Sequence, residues 1–526
     1  MSHNSILFID PEDQIKARNA EMPNHFVDLN LDQIINEIIF SFAEYDLEKY
    51  FYFPLSSIDS IYFRHEVFKD IENESIYENV ILFTMQMQNV RKYLKLVEKL
   101  YYQNQKKIWF LYAAELYCNS VKKLEEYLSK APIKSRGFLG FYEFLKKYAS
   151  NSYFISLEDE SKALVEDLSN VRYRIIIKDN SFTVQNYEEG IDYSAEIEAT
   201  FAKFKQGAVK DYLVKYNSVS EDMNHIEAQI LDFVAQLNSS LFSRLDNFFT
   251  KFNNFIDETI STFDREIHFY ISYLQYINKI KFNEPNQTNG KLQFCYPIIS
   301  NSSKEIYDYD GFDLALAQKL KGLSEKQVGN DKSIVCNDFF LKDKERIIVV
   351  TGPNQGGKTT FARMFGQFHY LASLGCLIPG SKAQLFFFDQ IYTQFERSEK
   401  VENLRGKLED DLTRVYSILE KATSRSIIIM NEIFNSTTLQ DVLFLSKKVM
   451  ERIIKLDAIC VWVTFVDELA TFSEKIVSMT SMVVPENPAL RTFKIIRRPA
   501  DGLAYAMAIA QKYRLSFSQI KERIKS

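Results

Sequence analysis

Residues 347–360 read IIVVTGPNQGGKTT, an apolar run that leads into the pattern G-x-x-x-x-G-K-[ST]. Glycines at this spacing let successive backbone N–H groups face a phosphate, and the helix that follows adds its positive N-terminal end. Lys358 can reach the terminal phosphates, and the Thr359 hydroxyl can ligate Mg²⁺. The stretch therefore predicts a strand, a phosphate-binding loop and a helix that bind ATP or GTP. The predicted nucleotide-binding residues are Gly352, Pro353, Asn354, Gln355, Gly356, Gly357, Lys358, Thr359 and Thr360.

A second apolar run, residues 426–430, ends in Asn431 and Glu432. Nucleotide-hydrolysing folds place a metal-assisting group and a water-activating group at such a strand end. We expect Glu432 to be the general base, with Lys358 as a second catalytic residue, and Thr359 and Asn431 to face the metal. The alternative is an ordinary acidic strand end.

Composition limits the class of protein. A chain of 526 residues is long enough for two or three domains. Its five cysteines form no C-x-x-C pair and no ligand-spaced cluster with the six histidines, which predicts a reduced cytoplasmic protein without structural zinc. The N-terminus lacks the pattern of a signal peptide, and the longest apolar runs are too short to span a bilayer, so we expect no membrane association.

Charge is unevenly distributed along the chain. The net charge is −6, yet residues 91–150 contain 13 Lys or Arg residues against 5 Glu and no Asp. This segment is either a solvated helix face or a surface that follows a phosphate backbone, and composition does not separate the two.

The middle of the chain predicts long helices, because no proline lies between Pro132 and Pro285. A capping-box pattern at residues 218–221 opens a periodic apolar series that continues to Leu274. Unbroken, this helix of about fifty residues would be a rod roughly 75 Å long. Alternation at residues 171–177, with Arg172 and Arg174 on one face, predicts a β-hairpin that turns at Asp179-Asn180.

After Pro285 the sequence pattern changes: glycines become more frequent, and short β-rich runs alternate with amphipathic helical stretches. Such alternation is typical of an α/β nucleotide-binding domain. The chain is therefore predicted to be a multidomain protein of α and α/β class.

The loop and the strand that ends in Glu432 resemble the MutS family of DNA mismatch-repair ATPases, whose loop reads T-G-P-N-x-x-G-K-S-T and whose second strand ends in D-E-I. Ser436-Thr437-Thr438 with Asp441 resembles the family's G-T-S-T-x-D signature. Thr464 with Glu468-Leu469 resembles T-H-x-x-E-L. The likeness covers roughly residues 50–525, and the ATPase half carries most of it.

The resemblance implies a leader at 1–45, a helical core and lever at 46–285 with a hairpin near 171–187, and an ABC-type P-loop ATPase domain at 286–526. It also implies a homodimer in which Ser436, Thr437 and Thr438 approach the γ-phosphate from the partner subunit. Threonines there also cap helices readily, and both roles can hold at once. Core-like sequence begins near residue 50, so we expect a short form without the family's mismatch-recognition and connector domains.

Two departures from the family pattern predict slow hydrolysis. Asn431 replaces the family's aspartate, so the metal loses a negative ligand, and Phe465 replaces a histidine that can hydrogen-bond to phosphate. In addition, Phe434 and Ser436 stand at glycine positions of the signature.

The leading hypothesis is an ATP-dependent, dimeric DNA clamp with weak ATPase activity, in DNA mismatch repair or related DNA processing. Its hairpin residues Arg172 and Arg174 would contact the backbone of double-stranded or branched DNA. The alternative is a nucleotide-switched scaffold that binds a protein partner.

Overall fold

The computed structural model describes residues 5–179, 181–188, 223–281, 292–324, 334–396, 406–484, 487–500 and 520–521. The chain forms two compact units. The first contains Met1–Lys69, Ser135–Gly137 and Arg265–Ser526, and the second contains Asp70–Lys134 and Phe138–Asp264. Both helices and strands are present, so the fold is a mixture of helical and α/β structure, as the sequence predicts.

The described helices are short near the N-terminus and longer in the middle of the chain. In chain order they are α1 (Pro11–Arg18), α2 (Phe26–Leu29), α3 (Leu31–Ile39), α4 (Glu48–Tyr52), α5 (Ile58–Ile71), α6 (Glu74–Lys99), α7 (Gln103–Lys130), α8 (Arg136–Ala149), α9 (Ser152–Ser169), α10 (His225–Leu237), α11 (Ser239–Lys251), α12 (Glu258–Lys281), α13 (Leu314–Ser324), α14 (Lys358–Ser373), α15 (Lys407–Lys421) and α16 (Leu439–Leu456). In this described part of the chain, no helix combines the length and apolar character that a membrane crossing requires.

Strands form a hairpin and three sheets. They are β1 (Tyr173–Lys178), β2 (Ser181–Asn186), β3 (Phe294–Cys295), β4 (Ile298–Ser300), β5 (Ile306–Gly311), β6 (Asn337–Leu341), β7 (Ile347–Thr351), β8 (Ile378–Pro379), β9 (Lys382–Phe386), β10 (Ile391–Phe395), β11 (Ile427–Asn431), β12 (Ile459–Val463), β13 (Ile476–Val484) and β14 (Asn487–Arg497). The sheets have the orders β10-β11-β12-β7-β13-β14, β4-β9-β5-β6 and β3-β8.

The six-stranded sheet places the candidate site. Strands β10, β11, β12, β7 and β13 are parallel, and β14 closes the edge antiparallel to β13. All residues of β7, β11 and β12 are buried, which explains their continuous apolar runs. Because the strands are parallel, the residues that follow β7 and β11 meet at one edge, where ligands of open α/β sheets bind.

The predicted single rod is wrong. Asn224 and Glu227 form the capping box that opens α10, whereas the predicted start at residues 218–221 lies outside the described residues. The helical series then breaks at Asn238, whose backbone leaves helical geometry while its side chain bonds the Val234 carbonyl. It breaks again before α12, where the Asp257 carboxylate accepts backbone N–H groups of the new helix. Polar capping residues inside the apolar series therefore divide the predicted rod into three helices.

The predicted hairpin is confirmed. Strands β1 and β2 are antiparallel, with Tyr173 opposite Asn186 and Lys178 opposite Ser181. Asp179 has a φ of 53°, the left-handed geometry that a tight turn needs.

The N-terminal residues belong to the same compact unit as residues 265–526. Ser5 donates to the fully buried carboxylate of Glu266 at 2.8 Å, and the Ile6 N–H donates to it at 2.9 Å. The buried guanidinium of Arg64 donates to the Leu7 and Leu374 carbonyls at 3.0 and 2.8 Å. These buried polar contacts hold the leader in that unit.

Candidate functional site

The loop of residues 352–357, here called the glycine loop, joins β7 to α14. Gly352, Gln355 and Gly357 have φ values of 111°, 59° and 91°, so the chain turns through left-handed conformations. Gly356 is needed for a different reason, because an added Cβ would lie 2.2 Å from Ser481 Oγ. That hydroxyl donates to the Gly356 carbonyl at 2.6 Å. The glycine loop is therefore packed tightly onto β13.

Lys358, the first residue of α14, folds back over the glycine loop. Its Nζ donates to the carbonyls of Gly352 and Pro353 at 2.9 and 3.1 Å and lies 3.7 Å from Glu432 Oε1. Burial lowers the pKa of this ammonium, and the Glu432 carboxylate opposes that shift. An anion that bound here would add to the negative charge that Glu432 already supplies to Lys358.

Asn431 and Glu432 lie at the carboxyl end of β11. Asn431 is buried, and its Oδ1 has no hydrogen-bond partner among the described residues. Thr351 Oγ1, at the end of β7, is buried and unpartnered in the same described part of the chain. Buried polar atoms are normally paired, so these two fit a site that a ligand or hydrated cation completes.

Glu432 is presented by an unusual turn. Its φ is 51° and that of Phe434 is 66°, while the Glu432 N–H donates to the Val463 carbonyl at 3.0 Å. Its side chain is 27 % exposed, so it can meet both solvent and Lys358. Left-handed non-glycine residues are costly and cluster at functional sites.

A cavity of about 1980 Å³ lies beside the first turn of α14, and residues 352–358 are not among those that line it. Thr359, Asn431 and Glu432 all line it, so three of the predicted site residues are brought together. Its walls also include Arg363, residues 390–396, several residues of α15, and residues 21–25 with Val27 and Asp28 of the leader. Thr360 is the third residue of α14 and is half-buried.

Comparison with known proteins finds similarity to one family. Residues 348–522 match the model of MutS domain V, and this range includes most of β7, the glycine loop and β11. Part of the chain is therefore similar to MutS proteins.

Three relatives, each named DNA mismatch repair protein MutS, show how far the similarity extends. The protein of Chlorobaculum tepidum is 25 % identical over 222 residues, which are 41 % of this chain and 24 % of the relative. That of Thermosipho melanesiensis is 22 % identical over 278 residues, 49 % of this chain and 34 % of the relative. That of Thermotoga maritima is 27 % identical over 184 residues, 34 % and 23 % respectively. The matched chain thus spans between about a quarter and a third of these relatives.

The segment that resembles the MutS signature has the geometry of a helix cap. Thr438 is the N-cap of α16, and its Oγ1 accepts the Asp441 N–H at 3.3 Å. The hydroxyls of Thr437 and Thr438 both donate to the Asp441 carboxylate, at 3.0 and 2.8 Å. Ser436 is exposed, and these three residues lie outside the set that lines the cavity. Helix capping, the alternative weighed on the sequence, is therefore present.

The hairpin arginines differ in their surroundings. Arg174 donates to Gln185 Oε1 at 2.9 Å and pairs with Glu188 at 2.9 Å. The Arg172 guanidinium lies 6.0 Å from the centre of the Tyr187 ring. Arg174 is thus partly neutralised before any ligand arrives.

Several cations of the basic segment are likewise paired. Arg91 contacts Asp264, Lys107 lies 2.5 Å from Asp246, and Lys122 lies 2.6 Å from Glu158. These pairs involve acidic residues that lie more than 30 positions away in sequence, so a count of charges along 91–150 overstates the free positive charge.

The structure adds residues that no motif indicates. Asp411 of α15 accepts a hydrogen bond from Gln394 and another from the Phe434 N–H. In the leader, the Asp28 carbonyl accepts from Arg363 Nε at 2.9 Å, and its carboxylate accepts from Thr393 at 2.7 Å. Asp411 ends the acidic run Glu409-Asp410-Asp411 and Asp28 lies in a four-residue helix, so both look like solvated positions in the sequence.

Proposed function

We propose that the chain is an ATP-dependent DNA-binding protein of MutS type, a dimeric clamp whose closure is coupled to ATP binding and slow hydrolysis. The observation that carries this proposal is the convergence of Lys358, Asn431 and Glu432 at the carboxyl edge of a MutS-family sheet. DNA mismatch repair, or related DNA processing, is the role that the relatives' names support.

The chemistry follows from groups in and around the glycine loop. Backbone N–H groups of the loop and the N-terminal end of α14 attract phosphate oxygens. Lys358 would exchange its contacts with the Gly352 and Pro353 carbonyls for the β- and γ-phosphates. The Glu432 carboxylate would accept the proton of the attacking water.

Thr359 and Asn431 would hold Mg²⁺, since both line the cavity and Asn431 Oδ1 lacks a partner among the described residues. The ion, when bound, neutralises negative charge on the phosphates. An amide oxygen carries no formal charge, so Asn431 holds a cation more weakly than an aspartate would. This weaker hold supports slow rather than rapid turnover.

The dimer arrangement assigns Ser436, Thr437 and Thr438 to the partner's nucleotide. Helix capping is compatible with this assignment. The Thr437 and Thr438 hydroxyls contact Asp441, while Ser436 stays exposed. The neighbouring Leu439 is 61 % exposed and Phe465 is 47 % exposed, which gives this edge apolar surface for a second subunit to cover.

DNA binding would rest on backbone contacts. Arg172 is a better candidate than Arg174, because Arg174 is already paired with Glu188. Phosphate contacts from such side chains make affinity dependent on salt and nearly independent of sequence.

The experiment that tests the proposal is Glu432→Gln, with ATP binding and steady-state hydrolysis measured on the same protein. We expect ATP affinity to remain within about threefold and turnover to fall by roughly 100-fold, since a general base contributes about 10²–10⁴-fold. Glu420→Gln is the matched control, because Glu420 is half-exposed and pairs with Arg452. Unchanged turnover in Glu432→Gln would remove the hydrolytic part of the proposal.

The second candidate is a nucleotide-switched scaffold that binds a protein partner. It is favoured by the paired cations of the basic segment and by Asn431 at the metal position. Fluorescence anisotropy with homoduplex, mismatched, branched and single-stranded DNA, with and without ATP, separates the two. A clamp predicts affinity that falls steeply between 50 and 200 mM salt, as expected when about 6–10 phosphates are contacted. Absence of binding to every DNA at low salt favours the scaffold.

A further inference from the structure

Asp411 joins two elements that flank Glu432. It lies on α15 and is 9 % exposed. Its Oδ1 accepts from Gln394 Nε2 at 2.9 Å, and its Oδ2 accepts from the Phe434 N–H at 3.3 Å. One buried carboxylate therefore serves a donor on β10 and a donor in the turn that carries Glu432.

The two donors are placed where they control the site. Gln394 precedes Phe395, which pairs with Asn431 in the parallel register of β10 and β11. Phe434 closes the turn in which Glu432 adopts its left-handed conformation. Such a backbone persists only when its surroundings hold it. The Glu432 N–H is held by Val463, and the Phe434 N–H is held by Asp411.

We propose that Asp411 is a positioning residue for hydrolysis: it fixes the 432–434 turn and thereby the direction of the Glu432 carboxylate. This inference rests on the proposed function. Asp411 lines the same cavity as Glu432, but its two carboxylate oxygens are engaged by Gln394 and the Phe434 N–H, so its contribution is to turnover rather than to affinity. A neutral side chain of the same shape that carries a hydrogen-bond acceptor can hold the 432–434 turn in the same way.

The test compares Asp411→Ala with Asp411→Asn in ATP turnover and in the binding of a fluorescent ATP analogue. Asp411→Ala is expected to lower kcat by about 10–100-fold, as loss of an orienting partner typically does, with KM within about twofold. Asp411→Asn is expected to recover most of the rate. Its Oδ1 can accept the Phe434 N–H while its amide donates to the oxygen of a flipped Gln394 side chain. Glu420→Gln, on the same helix, serves again as the control.

Two further measurements separate positioning from other roles. In the Glu432→Gln background, Asp411→Ala should cost nothing more in turnover, because the residue through which it acts is already inactive. Hydrogen exchange of the nucleotide-free protein should rise over residues 431–436 in Asp411→Ala and stay near wild type in Asp411→Asn. Additive losses in the double variant, or unchanged exchange, would overturn the assignment. An Asp411→Asn rate as low as that of Asp411→Ala would also overturn it, because charge and not shape would then be required.

Failure of this inference is distinguishable from failure of the proposed function. A wild-type protein that binds the ATP analogue but does not hydrolyse ATP overturns the hydrolytic proposal and the role of Asp411 with it. A wild-type protein that hydrolyses ATP as fast as Asp411→Ala overturns the role of Asp411 alone.

Discussion

The two ends of the parallel strands in the six-stranded sheet are built in opposite ways. At the carboxyl end, Asn431 Oδ1 and Thr351 Oγ1 are buried without partners among the described residues, and burial lowers the pKa of Lys358. At the amino end, the Asp457 carboxylate accepts from Lys475 at 2.8 Å and from Lys304 at 2.9 Å, and Arg346 lies 3.2 Å away. The carboxyl end therefore has buried polar atoms without hydrogen-bond partners among the described residues, whereas at the amino end the Asp457 carboxylate is paired.

The difference shows that ion pairs stabilise the amino end of the strands. Lys304, Arg346 and Lys475 precede strands β5, β7 and β13, so Asp457 ties the starts of these strands to the end of α16. Left-handed residues occur at both ends, at Asp457 as well as at Glu432 and Phe434, so the contrast lies in the unpartnered polar atoms of the carboxyl end. A sheet anchored at one end can tolerate unpaired polar groups at the other, which is where ligands bind.

The largest effect is expected at Lys358. Lys358→Ala should weaken binding of an ATP analogue by roughly 100-fold, since a hydrogen bond to a charged group contributes about 1.5–3 kcal/mol. Lys344→Ala is the control, because that lysine is 77 % exposed and its nearest carboxylate is 4.0 Å away. Isothermal titration calorimetry measures both. Equal affinities would mean that the carboxyl end does not bind phosphate through this residue.

Gly356→Ala should lower stability by about 1–3 kcal/mol, because its Cβ would lie 2.2 Å from Ser481 Oγ and 2.9 Å from the Pro353 carbonyl oxygen. Gly140→Ala has nothing within 4 Å of the added Cβ, and it lies in α8, where alanine favours helix. The midpoint of thermal unfolding should fall in the first variant and hold or rise in the second. A Gly356→Ala protein as stable as wild type would show that the glycine loop is less tightly seated on β13.

Much of the carboxyl end could be predicted from the sequence because its signals are local. The glycine loop, the strand before it and Glu432 lie within short patterns whose geometry the chemistry requires. The hairpin was predictable for the same reason, since Asp179 and the alternation around Ile175 are both local.

Features that depend on distant contacts could not be predicted. Ser5 and Glu266 are 261 positions apart, so the leader's place in the first unit leaves no trace in local pattern. Asp411 and Phe434 come together only when α15 packs beside the sheet. The division of the predicted rod into three helices was only partly predictable. Asn238 was visible in the sequence, but the apolar period continued on both sides of it.

Asn431→Asp tests the unsatisfied acceptor directly. Without Mg²⁺ the new carboxylate would be buried beside Glu432, so stability should fall by about 1–3 kcal/mol. With Mg²⁺ the loss should be recovered, because the cation supplies the missing partner, and wild type should gain less from Mg²⁺ than the variant. Urea unfolding with and without 5 mM Mg²⁺, a concentration on the order of that needed to saturate a weak site, measures the difference. A variant that Mg²⁺ stabilises no more than wild type would place the metal elsewhere.

The smallest effect is expected at the amino end and depends on pH. Partial burial acts to raise the pKa of Asp457, but hydrogen bonds from Lys475 and Lys304 outweigh it and hold the pKa below the ordinary value of 3.8. A carboxyl group whose pKa is lowered by folding stabilises the protein above its ordinary pKa, and this contribution is lost as the pH falls. Asp457→Asn should therefore cost roughly 1 kcal/mol at pH 7, the upper range for a partly exposed ion pair. The gap between wild type and variant should close as urea unfolding is repeated at pH values stepping below about 4. If the gap stays constant with pH, Asp457 anchors the strands through the geometry of its hydrogen bonds and not through its charge, and the contrast between the two ends would then be one of satisfied shape alone.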